Sequence, residues 1–403
     1  DGNHLEESGG DGGMKWEKVA IKDICTGIYD GPHATPPLSD TGAIFLGISN
    51  FNNGRLDFSD IRYISEDDLP KWTKRVIPQK NDIVFSYEAT LNLYAIIPEG
   101  FRGCLGRRMA LLRVDETKAD YKFLYYYFYS DAWRATVNEN IVLGATVDRI
   151  PLIKFPDFPV ELPPLETQHR IADILSAYDD LIENNQKQIK LLEEAAQRLY
   201  KEWFVDLRFP GHENMEIVDG VPEGWKKERL VDIAEIQYGY AFDGTLFNAD
   251  KNGTPIIRIR NIPQAETMDY TTEHVSENYL VQNGEIIVGM DGEFHINAWA
   301  GNTAYLVQRV CCIRPKNTEI KGWLLQAIYE PIKFFERTVV GATVAHLGKK
   351  HLDSIYLLTS PEEFYEPFKT FFDKRLLLMN QNRKLREARD RLLPKLMSGE
   401  VEV

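Results

Sequence analysis

Two acid–lysine pairs, Glu116-Thr-Lys118 and Glu319-Ile-Lys321, have the spacing of a nuclease Glu-x-Lys pair. That chemistry sets a metal-holding carboxylate beside a proton-handling amine. It also needs a Pro-Asp strand upstream, and neither pair has a convincing one. His346 and His351 share a segment, but a spacing of five serves one helical face poorly and no third ligand is near. They read as exposed or capping residues. Cys25, Cys104, Cys311 and Cys312 form no CxxC and have no histidine at zinc spacing. Methyl transfer to a base amine would need a Gly-rich cofactor loop and an Asp/Asn-Pro-Pro-aromatic motif. The Pro-Pro pairs here stand instead in Thr35-Pro-Pro-Leu38 and Leu162-Pro-Pro-Leu165. No Walker loop marks a motor. We therefore expect no catalytic residue, no metal site and no cofactor in this chain.

What the sequence does carry is a spacer. From Ile171, alternate steps of four and three meet Leu175, Tyr178, Ile182, Asn185, Ile189, Leu192, Ala196, Leu199 and Trp203. A stripe repeating every 3.5 residues is a coiled-coil seam, because it holds one narrow face toward a partner helix. The faces between are polar, and neither Gly nor Pro interrupts 166–204. At about 1.5 Å per residue the helix would be close to 60 Å long. Asn185 is the polar seam position. Either it specifies register by demanding a polar partner, or it sits at a frayed, exposed point.

The chain of 403 residues predicts two or three domains, and 43% hydrophobic and 11% aromatic residues suffice for real cores. Residues 1–13 carry no apolar pattern and read as an expression remnant before Met14. They hold Asp1, Glu6, Glu7 and Asp11 but no Lys or Arg, so without them the formal charge of −14 becomes about −10. That acidity argues against coating nucleic acid by bulk charge, but allows local basic patches. With no signal peptide and no apolar run near 18 residues, a reduced cytoplasm is the expected location.

The chain is written twice. Trp16…Asp23-Ile24 is echoed by Trp225…Asp232-Ile233. Gly42-Ala-Ile-Phe-Leu-Gly-Ile-Ser-Asn50 is echoed by Gly253-Thr-Pro-Ile-Ile-Arg-Ile-Arg-Asn261. The runs 81–86, 108–113 and 144–147 recur at 284–289, 309–314 and 341–344, the last as Gly-Ala-Thr-Val both times. The separation drifts from 209 to 197 residues, as loop insertions and deletions would cause. Matches in the same order five times over are a repeat and not chance.

Each half reads as an α/β (α+β) domain followed by a long helix. Strands are expected at 43–48, 83–85, 93–97 and 109–114, then at 255–259, 285–288, 303–307 and 310–313. Aromatic-rich helices follow at 120–137 and 321–339, their rings read as core. Pro-rich hinges at 156–164 and, loosely, 359–362 stiffen the exits, since proline continues neither strand nor helix. The second long helix, 362–397, has a looser stripe of Phe368, Phe372, Met379, Asn382, Leu385, Leu392 and Leu396. Its four-residue shift relative to the first is the length of a stutter. Arg375 and Arg389 fall on or near the seam, and Pro394 should kink the end.

At the entry to the first long helix stands Leu162-Pro-Pro-Leu-Glu-Thr-Gln-His-Arg-Ile-Ala-Asp-Ile-Leu175. With Leu199-Tyr-Lys-Glu-Trp-Phe-Val-Asp206 and Val221-Pro-Glu-Gly-Trp-Lys226, it resembles the specificity subunit of type I restriction–modification systems. The likeness covers nearly all of 14–403; the second helix entry, Ser360-Pro-Glu-Glu-Phe-Tyr-Glu-Pro-Phe368, departs from it. The resemblance implies target recognition domains at 14–165 and 225–361, a spacer helix at 166–206, a linker at 207–224 and a second spacer helix at 362–403. It implies that each domain reads half of a gapped, double-stranded DNA site. The helices would pack as an antiparallel intramolecular coiled coil, set the gap and dock two methyltransferase subunits. Restriction subunits could join. S-adenosylmethionine, ATP and Mg would belong to those partners.

Reading base edges needs Arg, Lys, Asn, Gln or polar aromatics on loops held by a rigid sheet. The candidates are Tyr87, Arg102, Arg107 and Arg108 in the first domain, and Arg258, Arg260, Asn261, His295 and Asn297 in the second. Thr146 and Thr343, in the repeated Gly-Ala-Thr-Val, would either offer N–H and hydroxyl groups to phosphate or close a helix C-terminus. Asn185 and Asn382, each near the middle of its helix, would meet only if the helices run antiparallel and in register. Two other readings stay open: a coiled-coil scaffold with no DNA role, and a stand-alone DNA-modifying enzyme. Salt-sensitive, sequence-dependent DNA binding discriminates against the first, and failure to bind S-adenosylmethionine against the second.

Overall fold

In the computed structural model, residues 16–144, 147–338 and 345–403 are described; Thr146 and Thr343 lie outside them. The chain forms two compact units, Asp1–Asp180 with Glu387–Val403, and Leu181–Arg386.

The first unit is built on an antiparallel sheet in the order Cys25–Asp30, Met109–Val114, Ile83–Ser86, Tyr94–Ile96. Its central strands are apolar without alternation, which requires burial on both faces. Successive residues serve two cores in turn. Ile83, Phe85, Ala110 and Leu112 face the larger aromatic core, whereas Val84, Met109 and Leu111 face a smaller one. A second sheet pairs Ala43–Leu46 with Tyr63–Ile64 and, in parallel, with Gly103–Leu105.

The second unit repeats this plan. Its antiparallel sheet runs Ala234–Tyr238, Val310–Pro315, Ile286–Gly289, Ile296–Ala298. Thr254–Ile257 pairs with Tyr270–Thr271 and, in parallel, with Ala304–Leu306. The same alternation splits the adjacent cysteines, Cys311 into one core and Cys312 into the other. Side-chain devices repeat too. Arg113 brackets Asp82, with Nε 2.9 Å from Oδ1, and the Gln79 N–H donates to the same carboxylate at 2.7 Å. Arg314 brackets Glu285, which accepts the Gln282 N–H at 2.8 Å.

Two local expectations need correction. The aromatic helix expected at 120–137 is two helices, Tyr121–Tyr127 and Asp131–Asn140. Ser130 breaks it, because its hydroxyl accepts the Trp133 N–H at 3.2 Å and so caps a new N-terminus. Its counterpart likewise divides into Lys321–Ala327 and Tyr329–Thr338. The rings do form core: Trp133 is buried and donates from Nε1 to the Tyr94 hydroxyl at 2.8 Å. The Pro-rich hinge contains a strand, Pro159–Leu162, paired with Glu17–Ala20. Proline is tolerated there because Pro159 is the strand's first residue, where its missing N–H need not break the ladder. Tyr356–Thr359 pairs with Lys226–Arg229 in the same way.

The first long helix is Leu165–Tyr200, continued by a π-helical turn over Lys201–Val205. All ten stripe positions from Ile171 to Trp203 are buried or half-buried. The second is Glu366–Met397 and contains Pro394 in its final turn. Among the described residues, no helix is long and apolar enough to cross a membrane.

Candidate nucleic-acid interface

Each unit carries an equivalent turn at the end of its parallel-paired strand. In the first, Ile48–Asn50 forms one 3₁₀ turn, and the Asn50 side chain accepts the Gly47 N–H at 2.9 Å. In the second, Ile259–Asn261 does so, and Asn261 accepts the Arg258 N–H at 2.8 Å. The Asn261 amide also donates to Asp269 at 3.1 Å. Asn261 thus builds the turn, and its neighbours project from it. Arg258 is half-buried with its guanidinium 5.5 Å from the Phe247 ring centroid, and Arg260 is exposed and paired with Asp269. Burial alone would raise the Asp269 carboxyl, but hydrogen bonds from Arg260 and Asn261 hold it below the usual carboxylate range.

Beside each turn sits an arginine in the left-handed region, Arg108 with φ 70° and Arg309 with φ 73°. Non-glycine residues seldom adopt that conformation, and such strain persists only where surroundings enforce it. Each carbonyl is fastened across the hairpin, Arg108 to the Tyr87 N–H at 3.1 Å and Arg309 to the Met290 N–H at 2.9 Å. Each guanidinium lies by an acid: Arg108 Nε is 3.2 Å from Glu88, and Arg309 Nε is 3.3 Å from Asp291.

The remaining candidates scatter. Arg107 is exposed. Arg102 is exposed and paired with Glu66. The Tyr87 ring is buried, which pushes its hydroxyl pKa up. His295 lies 3.5 Å from Glu293. Asn297 is 8% exposed; its amide donates to the Ile262 and Pro263 carbonyls at 3.0 and 3.1 Å, and its oxygen accepts from Arg375 at 2.7 Å. To read a base it would have to break those bonds while buried, so it holds a loop instead.

The long helices carry polar side chains inward. Within the second unit, Asn185 Nδ2 donates to Asn382 Oδ1 at 2.9 Å, and Arg375 Nε donates to Glu193 at 2.7 Å. Within the first unit, Asp179 accepts the Tyr126 hydroxyl at 2.6 Å and Arg389 Nη1 at 2.5 Å.

The suspected chemical pairs are engaged elsewhere. Glu116 accepts from Asn81 at 3.3 Å, while Lys118 donates to the Asp23 carbonyl at 3.0 Å. Glu319 pairs with Lys369, and the Lys321 ammonium lies over Phe372. His351 caps a short helix by accepting the Gly348 N–H at 3.0 Å, and His346 sits 2.6 Å from Asp291. Burial pushes the Cys25, Cys104 and Cys311 thiols up to about 12, so at neutral pH they are protonated and poorly nucleophilic. Among the described residues no cluster could hold a metal ion.

The two units thus share one topology, and each has a braced turn and a left-handed arginine. Residues 14–194 and 222–363 match the family described as the type I restriction modification DNA specificity domain, and the chain belongs to that family as a DNA-recognising specificity subunit. It is 25% identical over 366 residues to the type I restriction enzyme MjaIX specificity subunit of Methanocaldococcus jannaschii, spanning 85% of this chain and 82% of that protein. It is 30% identical over 150 residues to the EcoBI specificity subunit of Escherichia coli, spanning 37% and 32%. The crystal structure of a type I S subunit from M. genitalium shares the fold, with a TM-score of 0.57, 17% identity and coverage of 97% and 98%.

Proposed function

We propose that residues 14–165 and 225–361 are target recognition domains that each read one half of a gapped, double-stranded DNA site. The family match to both halves of the chain carries this reading. The helices 166–206 and 362–403 form an antiparallel intramolecular coiled coil that sets the gap and docks two methyltransferase subunits, with 207–224 as linker. Support comes from Glu193 meeting Arg375 while Asn185 meets Asn382: the residue number rises on one helix as it falls on the other. Chemistry is left to partners, with S-adenosylmethionine, ATP and Mg bound there and restriction subunits able to join. The complex works in the cytoplasm. In the second domain, base contacts come from the arginines at the braced turn, half-buried Arg258 and exposed Arg260. Modified-base sequencing of a genome expressing this chain with its methyltransferase tests the proposal. A gapped motif absent from a strain lacking the chain is expected, and an ungapped or absent motif would refute it.

The asparagine pair fixes helix register. In a buried seam Asn185 donates to the Asn382 side-chain oxygen, and Asn382 in turn donates to the Ile182 carbonyl at 3.3 Å. Asn185→Leu leaves the buried Asn382 side-chain oxygen without its donor, at a cost of roughly 1–3 kcal/mol. Asn185→Leu with Asn382→Leu removes both groups and should cost less than the two single changes added together. Denaturant unfolding of the four proteins measures the coupling. Additive effects would show that the two amides do not act as a pair.

A further inference from the structure

The two braced turns share a scaffold but not a charge pattern. The sequence echo makes Gly47 equivalent to Arg258 and Ser49 to Arg260. The backbone supplies a third correspondence: the Phe45 N–H donates to the Arg62 carbonyl at 2.8 Å, and the Ile256 N–H to the Asp269 carbonyl at 2.9 Å. Arg62 therefore stands where the second unit has Asp269. In the second unit that aspartate neutralises Arg260. In the first, Arg62 faces a glycine. A Cβ at Gly47 would come within 2.0 Å of Arg62 Nη2, so the glycine makes the room that the guanidinium occupies.

Arg62 lies with its guanidinium 5.1 Å from the Phe45 ring centroid, on the wall of an open cavity of about 290 Å³. Ser49, Arg107 and Arg108 line the same cavity. Arg108 is paired with Glu88, but among the described residues no carboxylate lies within ion-pair distance of Arg62 or Arg107. Both are exposed. Most arginines of this acidic chain are paired, so two unneutralised guanidiniums on one cavity are a focused positive site. Arginine's fork suits two oxygens of one phosphate, and the ring beneath Arg62 restricts its movement. The second unit cannot copy the site, because Gln308 stands in the place of Arg107 and Asp269 in the place of Arg62.

We propose that the cavity walled by Arg62, Arg107 and Ser49 seats one backbone phosphate of the DNA, and that only the first unit has this seat. The proposal rests on the DNA-reading function above and adds an unequal division of labour. The first unit grips the backbone at this turn, whereas the second presents Arg258 without a phosphate clamp. A phosphate contact carries affinity and register but no sequence information.

The test uses the full chain assembled with its methyltransferase subunits and a duplex carrying the motif found by modified-base sequencing. Arg62→Gln should weaken binding roughly tenfold and reduce the slope of log affinity against log salt by about 1, with the methylated motif unchanged. Arg62→Lys keeps the charge and should restore most of the slope. A single neutral methylphosphonate linkage, scanned along the duplex, should weaken the wild type at one position in one half-site and leave Arg62→Gln unaffected there. Unchanged affinity in Arg62→Gln would overturn the seat and leave the function standing. A motif relaxed at one base pair would also overturn it, by making Arg62 a base reader. A wild-type complex with no sequence-dependent affinity for duplex DNA would overturn both.

Discussion

Replacing residues 14–165 with the corresponding domain of another family member should exchange one half of the recognised DNA sequence and leave the other half and the gap intact. The effect is all-or-none for half the site, and modified-base sequencing reads it directly. The junction is physically sound because the helix entry is held by backbone atoms. Gln168 accepts the Asp120 N–H at 2.9 Å and donates to the Pro163 carbonyl at 2.9 Å. Any incoming domain with the same local path supplies those groups. Ile171, Ala172, Leu175, Leu396 and Met397 pack into the first unit's core, so the graft must also keep apolar partners for them. Asp179 sets the main risk, since it accepts from Tyr126, which leaves with the domain. A donor lacking that tyrosine should fold less stably without altered specificity. A change in both halves of the motif would end the two-reader proposal.

Four residues inserted into both long helices, between Asp179 and Asn185 and between Asn382 and Arg389, should lengthen the gap by about two base pairs. Four residues add about 6 Å and one turn plus about 40°, close to two steps of about 3.4 Å along DNA. Insertion in one helix alone is a different experiment. Asp179–Arg389 in one unit and Asn185–Asn382 in the other lie on either side of the insertion point. With only one helix lengthened, both pairs cannot keep their partners. Losing the first leaves a largely buried carboxylate without its guanidinium, a cost of about 3 kcal/mol or more. The single insertion should therefore destabilise the chain, and the paired insertion should shift the gap while both half-sites persist. A paired insertion that leaves the gap unchanged would show that the helices are not the ruler.

Local periodicity made much of this protein legible in the sequence. A 3.5-residue stripe and a buried-strand pattern are properties of neighbouring residues, so the long helices, the repeat and most central strands could be read directly. The seam asparagines were legible for the same reason, as polar breaks in an apolar row. The sequence also argued against nuclease and zinc chemistries by their missing partners. What it did not contain were pairings set by the sheet. That Arg62 belongs beside Gly47 follows from the antiparallel register of Tyr63–Ile64 on Ala43–Leu46, which no local pattern announces. That Asn297 serves Arg375 and two carbonyls follows from a loop meeting a distant helix. Ser130 ending a helix was within reach of local reasoning, since a serine before an acidic turn is a cap signal, but the aromatic run around it looked continuous. The strand in the Pro-rich hinge needed Glu17–Ala20 as its partner. Chain-local energetics selects elements, whereas the assignment of each exposed arginine to an acid, a ring or an open cavity depends on contacts between segments far apart in sequence. The surroundings of the turn side chains were therefore decided by the tertiary structure.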